Sequence, residues 1–154
     1  MNSAETIQSF LDSNLFDRKI ILNRNEILKQ SGTVDTNIYW IQEGSLKIFI
    51  IDEDEERIIR FGYDGNIVVS LDSFLSEKPS DFHIQAIKKT IVRTASKSDF
   101  EKFINSSENN LKLWNAILED LVLQQVEREK DILTNSPKER YERVLKRSPK
   151  LFQL

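Results

Sequence analysis

Apolar and polar side chains alternate along the first two thirds of the chain, and apolar positions recur every three or four residues along the last third. Residues 18–96 therefore read as strands. Short runs at 19–22 and 26–29 are divided by Asn23-Arg24-Asn25, and 37–42 carries Ile38, Tyr39, Trp40 and Ile41. Gly44 permits a tight turn into 45–51, where Leu46, Ile48 and Ile50 alternate with Lys47 and Phe49. The acidic run 52–56 is too charged to be buried, so it reads as the tip of a hairpin whose return strand is 57–61. Tyr63-Asp64-Gly65-Asn66 is a further turn, and 82–86 and 91–94 are the last strand candidates. Many short strands at close spacing, separated by turn signals, predict an antiparallel jelly-roll β-barrel.

Helices are predicted on both sides of that barrel. Residues 3–13 place Ile7, Phe10 and Leu11 on one helical face. Ser98-Asp99-Phe100-Glu101 is a capping box that opens a short helix through Ile104. Asn105-Ser106-Ser107 interrupts it and caps a second helix over 108–133, which at 1.5 Å per residue spans about 39 Å. Leu111, Trp114, Leu118, Leu121 and Gln125 follow alternating steps of three and four, the seam of a coiled coil, with Ile117 and Val122 beside them. Ser136-Pro137-Lys138-Glu139 is another capping box, with proline at the first helical position, and Pro149 ends the helix it starts.

Composition narrows the chemistry. Without cysteine there is no disulfide, thiolate zinc site or cysteine-ligated iron–sulfur cluster. The single histidine, His83, sits in a strand candidate and reads as an ordinary strand residue. No nucleophile elbow, phosphate loop or histidine-rich metal motif is present, so the chain is expected not to be an enzyme. A cupin-type enzyme would need a metal site that one histidine can hardly build. The net charge of −3 excludes nucleic-acid binding by bulk charge. No apolar run approaches the roughly 20 residues of a membrane helix, and the N-terminus lacks a basic-then-apolar leader, which places the protein in the cytoplasm.

The order of segments resembles a known family. Glu26-Ile27-Leu28-Lys29-Gln30-Ser31-Gly32 followed by Ile38-Tyr39-Trp40-Ile41-Gln42-Glu43-Gly44-Ser45-Leu46, then Gly65-Asn66-Ile67-Val68, then Ser136-Pro137-Lys138-Glu139-Arg140-Tyr141 with Leu145 and Pro149, is similar to the Crp/Fnr transcription regulators. The resemblance implies a cyclic nucleotide-binding-like barrel at 1–107, a dimerisation helix at 108–134, and a helix at 135–154 leading to a DNA-binding domain. A helix-turn-helix does not fit in the five residues after Pro149, and the apolar Leu151, Phe152 and Leu154 favour a truncated form over a natural short one.

In that family a cassette of strand, short helix and strand wraps a cyclic-nucleotide phosphate at the helix N-terminus. Here the cassette runs over 65–86 with 71–75 as its helix. The family's glutamate position falls at Ser70, its phosphate-binding arginine position at Ser80, and the following small hydroxyl position at Asp81. Neither Ser nor Asp imitates the bidentate arginine. Losing one partner of such a buried pair costs roughly 2–5 kcal/mol, on the order of 30- to several-thousand-fold in affinity. The resemblance therefore implies a sensor that does not bind cyclic AMP or cyclic GMP in the family's way. Its pocket, between the cassette and the long helix, takes a different effector or none.

Candidate ligand contacts are Gly65, Ser70, Leu71, Ser80, Asp81 and Phe82. Candidate contacts of a parallel homodimer are Trp114, Leu118, Leu121 and Gln125. Ser70, Asp72 and Ser73 also fit a plain helix cap, and Arg57 and Arg60 fit surface pairing with the acidic hairpin. The basic Lys138, Arg140, Arg143, Lys146, Arg147 and Lys150 fit either a solvated helix or proximity to DNA. A stand-alone ligand-binding or protein-interaction module without DNA binding is the alternative reading.

Overall fold

The computed structural model describes residues 15–133 and 137–147. The expected helix at 3–13, the Ser136 cap and the apolar tail after Pro149 lie outside the described residues. Among the described residues, eight antiparallel strands form two four-stranded sheets. The first has the order β1 (Arg18–Leu22), β8 (Thr90–Ala95), β3 (Ile38–Glu43) and β6 (Ile67–Val69). The second has the order β2 (Ile27–Lys29), β7 (His83–Ala86), β4 (Ser45–Asp52) and β5 (Glu55–Tyr63). Apart from the β4–β5 hairpin, hydrogen-bonded neighbours are distant in sequence, the signature of a jelly roll rather than a meander.

The alternation read from the sequence sets which side chains meet. Tyr39 and Ile41 on β3, Leu46 and Ile48 on β4, Val68 on β6, Ile84 and Ala86 on β7, and Val92 on β8 bury into one core with Leu22. Register joins the two ends of the chain segment: Tyr39 pairs with Val68 on one side and Thr94 on the other. Gly44 makes the β3–β4 turn at φ +121°, and a side chain there would collide with the Thr90 backbone. That close approach is useful, because the Thr90 hydroxyl accepts a hydrogen bond from Ser45 N (3.1 Å) and donates toward the Lys88 carbonyl (2.8 Å). The buried backbone of the turn is satisfied in this way.

The β4–β5 hairpin closes on Glu53 and Asp54, both in the left-handed region (φ 51° and 66°). Its strands run further than the apolar pattern indicates. Glu55 and Glu56 continue the ladder against Asp52 and Ile51, since an exposed hairpin arm does not have to bury its side chains.

Four helices complete the described residues: α1 (Leu71–Ser76), α2 (Lys97–Asn105), α3 (Glu108–Leu133) and α4 (Pro137–Arg147). The bounds of α3 coincide with the predicted ones. The cap of α2 is corrected: Ser96, not Ser98, is the N-cap, and its hydroxyl accepts from Asp99 N at 3.1 Å. Both serines fit a capping pattern. Ser96 keeps an extended backbone (ψ 156°), which the cap position requires, whereas Ser98 lies within the helix.

The chain divides into two compact units between Glu108 and Asn109. In the second, Leu113 and Asp131 are the buried positions of α3. They are 18 residues apart, five full turns, and so share one side of the helix. Leu111 and Val122 fall near the opposite side and are 45% and 62% exposed.

Candidate functional site

The segment from Gly65 to Ala86 forms a strand, a short helix and a strand, as expected. Gly65 lies in the β5–β6 turn at φ +85°, where only glycine is unstrained, and its N–H donates to the Ile41 carbonyl at 2.7 Å. Ser70 follows β6 and precedes α1. Its carbonyl accepts from Phe74 N (2.8 Å), but its hydroxyl caps nothing. The hydroxyl is buried with no hydrogen-bond partner among the described residues. Leu71 is half-buried and Asp72 exposed. Ser73 accepts from Asp35 N at 3.0 Å, which ties α1 to the β2–β3 loop.

Two aromatic rings and a lysine fix the far end of α1. Phe74 meets Phe100 of α2 edge to face at 6.1 Å. Lys97 lies 5.1 Å over the Phe74 ring, donates to the Phe74 carbonyl, and pairs with Glu77 at 3.3 Å. Glu77 ends the helix in the left-handed conformation (φ 61°).

The return arm is stitched to the β2–β3 loop. Ser80 is fully buried. Its N–H donates to the Thr33 carbonyl (3.1 Å), its carbonyl accepts from Gly32 N (2.8 Å), and its hydroxyl accepts from Phe82 N (3.2 Å). Asp81 is exposed, and Phe82 is half-buried against the core. His83 stacks on Phe49 with ring centres 5.0 Å apart, and its Nδ1 accepts from Ser31 N at 3.3 Å.

Sequence reasoning missed three residues beside this arm. Lys29, with only 3% of its surface exposed, sends its ammonium under the loop and donates to the carbonyls of Gln30 (2.7 Å), Ser80 (2.9 Å) and Phe82 (3.0 Å). Asp35 accepts from the Tyr39 hydroxyl (2.6 Å) and from Asn37 N (2.9 Å). Lys29, Asp35 and Tyr39, with Thr33 and Val34, line a cleft of about 470 Å³. Burial holds the Lys29 ammonium below its usual value, opposed by the fields of Asp35, Asp72 and Asp81. Burial first, then the Asp35 hydrogen bond and charge, push the Tyr39 hydroxyl up. A lysine in the apolar run Ile27-Leu28-Lys29 was the available signal. Its burial depends on the irregular register between Ile27 and Lys29, which no pattern of residue types displays.

The two arginines of β5 separate. Arg57 pairs with Asp52 (3.1 Å) and Glu55 (3.8 Å) at the exposed hairpin. Arg60 does not join them: its Nη2 donates to the Ile67 carbonyl at 2.9 Å, bridging β5 to β6. The expectation of surface pairing is corrected there, because Arg60 stands opposite Ile48 in the ladder, a core position. No arginine occurs between Arg60 and Arg93 in the sequence, so the cassette itself has none.

On α3, Trp114, Leu118 and Leu121 are half-buried and Gln125 is exposed. Leu111, Val122 and Val126 continue the apolar surface toward solvent. Among the described residues no helix is long and apolar enough to cross a membrane.

Comparison with known proteins adds three findings. The family described as "Cyclic nucleotide-binding domain" matches residues 19–107, more than half of the chain. No curated protein sequence matches. Among solved structures, the chain is similar to the Thermus thermophilus catabolite activator protein (TM-score 0.67, 17% identity, 81% of this chain and 59% of that one). It is similar to the sensor domain of the transcriptional regulator DNR from Pseudomonas aeruginosa (0.63, 18%, 87% and 89%). It is also similar to the c-di-GMP-responsive global regulator CLP of Xanthomonas campestris (0.69, 16%, 92% and 70%). At these identities the likeness is one of fold. The chain spans about three fifths of the Thermus protein's length and most of the isolated DNR sensor domain's.

Proposed function

Because the chain belongs to the cyclic nucleotide-binding domain family, we propose that it is the sensing and dimerisation portion of a DNA-binding transcription regulator of the Crp/Fnr type. It works in the cytoplasm as a homodimer and is not an enzyme. The organisation is a cyclic nucleotide-binding-like barrel over 1–107, a dimerisation helix over 108–134 and a connecting helix over 135–154. DNA is contacted through a separate helix-turn-helix domain. The observation that carries this reading is the sensor fold running directly into α3, a helix of 26 residues with exposed apolar side chains opposite its buried side. Two such helices bury Leu111, Trp114, Leu118 and Leu121 in a parallel seam, with Ile117 and Val122 beside it and Gln125 setting register.

The effector site is the cassette, with Gly65, Ser70, Leu71, Ser80, Asp81 and Phe82 as contacts. Its effector is not a cyclic nucleotide held in the family's way. Ser80 already spends its hydroxyl on Phe82 N and its carbonyl on Lys29, and Asp81 adds negative charge where a phosphate would sit. An effector that binds one arrangement of the cassette better than another shifts the dimer between two states, which the helices pass to the DNA-binding domains.

Calorimetric titration with cyclic AMP and cyclic GMP tests the effector reading, and no heat of binding is expected at micromolar concentration. Micromolar affinity for either would overturn it. Sedimentation tests the dimer: a monomer at high concentration removes the seam.

A further inference from the structure

We propose that Lys29 is an internal latch that closes the cassette without any ligand, taking over from within the chain the loop-ordering task that a bound anion would perform. The inference rests on reading the cassette as the effector site and concerns how that site is regulated.

The geometry is specific. An ammonium has three donors, and Lys29 directs all three at main-chain carbonyls. One belongs to its own arm, Gln30, and two to the return arm of the cassette, Ser80 and Phe82. The bonds are charge-assisted and only 3% of the residue is exposed, so water does not compete for them. They do not act alone. Thr33 and Ser80 form an isolated antiparallel bridge, and Gly32 N donates to the same Ser80 carbonyl that Lys29 holds. The Ser80 hydroxyl then holds Phe82 N. The main-chain polar groups of Ser80 and Phe82 named here are engaged by Lys29 of β2, by the β2–β3 loop or by the arm itself.

Charge explains why a lysine serves. The fields of Asp35, Asp72 and Asp81 all favour the charged ammonium, against the cost of its burial. The return arm is thus held by a cation supplied from β2. An anionic effector would have to draw those donors away from Ser80 and Phe82, so it loosens the arm. A neutral effector leaves the arm closed.

Amide hydrogen exchange on the full chain is the test. In Lys29→Met the stem is kept and the donors removed. Exchange at Gly32, Ser80 and Phe82 is expected to rise about tenfold to a hundredfold, the scale of one or two charge-assisted hydrogen bonds. Exchange at Ile41 and Gly65, away from the latch, is expected to stay as it is. Lys29→Arg should restore much of the protection. Exchange at Gly32 and Ser80 within twofold of the parent overturns the proposal. Should Lys29→Met fail to fold, the parent chain decides the matter. Its Lys29 ammonium protons should be visible in a nitrogen-15 spectrum at neutral pH, where exposed lysines exchange too fast to be seen. Their absence overturns the latch and says nothing against the dimer. Micromolar binding of cyclic AMP would overturn the effector reading while leaving the ammonium signal in place.

Discussion

Replacing Gly44 and Gly65 by alanine separates two costs that are usually merged. Both glycines have positive φ, +121° and +85°. An alanine at either position takes on a left-handed strain of roughly 1–2 kcal/mol. It also recovers about 0.4–1 kcal/mol by stiffening the unfolded chain. At Gly65 nothing lies within 4 Å of the added carbon, so the net loss should be about 0–1.6 kcal/mol. At Gly44 the same carbon would lie 2.7 Å from Thr90 Cα and Cβ and closer still to the hydroxyl. Thr90 is fully buried, and its hydroxyl is committed to Ser45 and Lys88, so it cannot step aside. Overpacking of this kind adds about 1–3 kcal/mol. Gly44→Ala should therefore lose about 1–4.6 kcal/mol, about 1–3 more than Gly65→Ala, out of a stability that is typically about 5–15 kcal/mol. Urea unfolding followed by tryptophan fluorescence measures both variants, with the slope checked for constancy. If the two losses agree within about 0.5 kcal/mol, the β3–β4 turn does not press on Thr90 as described.

Three further outcomes are expected. Burial raises the hydroxyls of Tyr39 and Tyr63 above their usual value of 10.0. Above pH 10 the unfolded chain releases protons that the folded chain keeps, so these two groups make stability fall as pH rises. Lys29 is shifted the other way: between its lowered value and 10.5 the unfolded chain binds the extra proton, so it makes stability rise over that interval. Absorbance at 295 nm should accordingly show two of the three tyrosines of the folded protein ionising later than a tyrosine of the unfolded chain, Tyr39 the latest, and a single three-tyrosine step near pH 10 in the folded protein refutes this. A double-mutant cycle with Phe74→Leu and Phe100→Leu should return a coupling of about 0.5–1.5 kcal/mol by urea denaturation, since the rings meet edge to face. Additive losses would mean that α1 and α2 are not joined there. Asp35→Ala leaves the Tyr39 hydroxyl buried without its partner and should cost about 1–3 kcal/mol, with Asp35→Asn recovering part of it.

What could be read from residue order follows the physics of each element. The core strands were legible because Tyr39, Ile41, Leu46 and Ile48 alternate as a half-buried sheet demands. The bounds of α3 were legible because the Asn105-Ser106-Ser107 break and the long apolar spacing agree. The length of β5 was not: Glu55 and Glu56 argue against burial, and an exposed arm needs none. The brief β6 was not identified as a strand from its own residues, since three residues are too few to show a period. The cassette's outline came from its turn residues and its family resemblance, whereas the cation beneath it did not. Lys29 meets Ser80 and Phe82 across about 50 positions of sequence through backbone carbonyls, and carbonyls carry no side-chain signature.

The turn at Glu53 and Asp54 has a colloidal consequence. Asn-Gly would adopt this hairpin conformation with far less strain. The chain instead places five successive carboxylates, Asp52 to Glu56, at the outer end of β5, and among the described residues β5 is the border strand of its sheet. A nine-residue strand whose outer ladder edge has no partner among the described residues is a template for fibril-like stacking between molecules. Like charges meeting at its tip repel a second copy in register, so the strained turn trades some folding stability for resistance to aggregation.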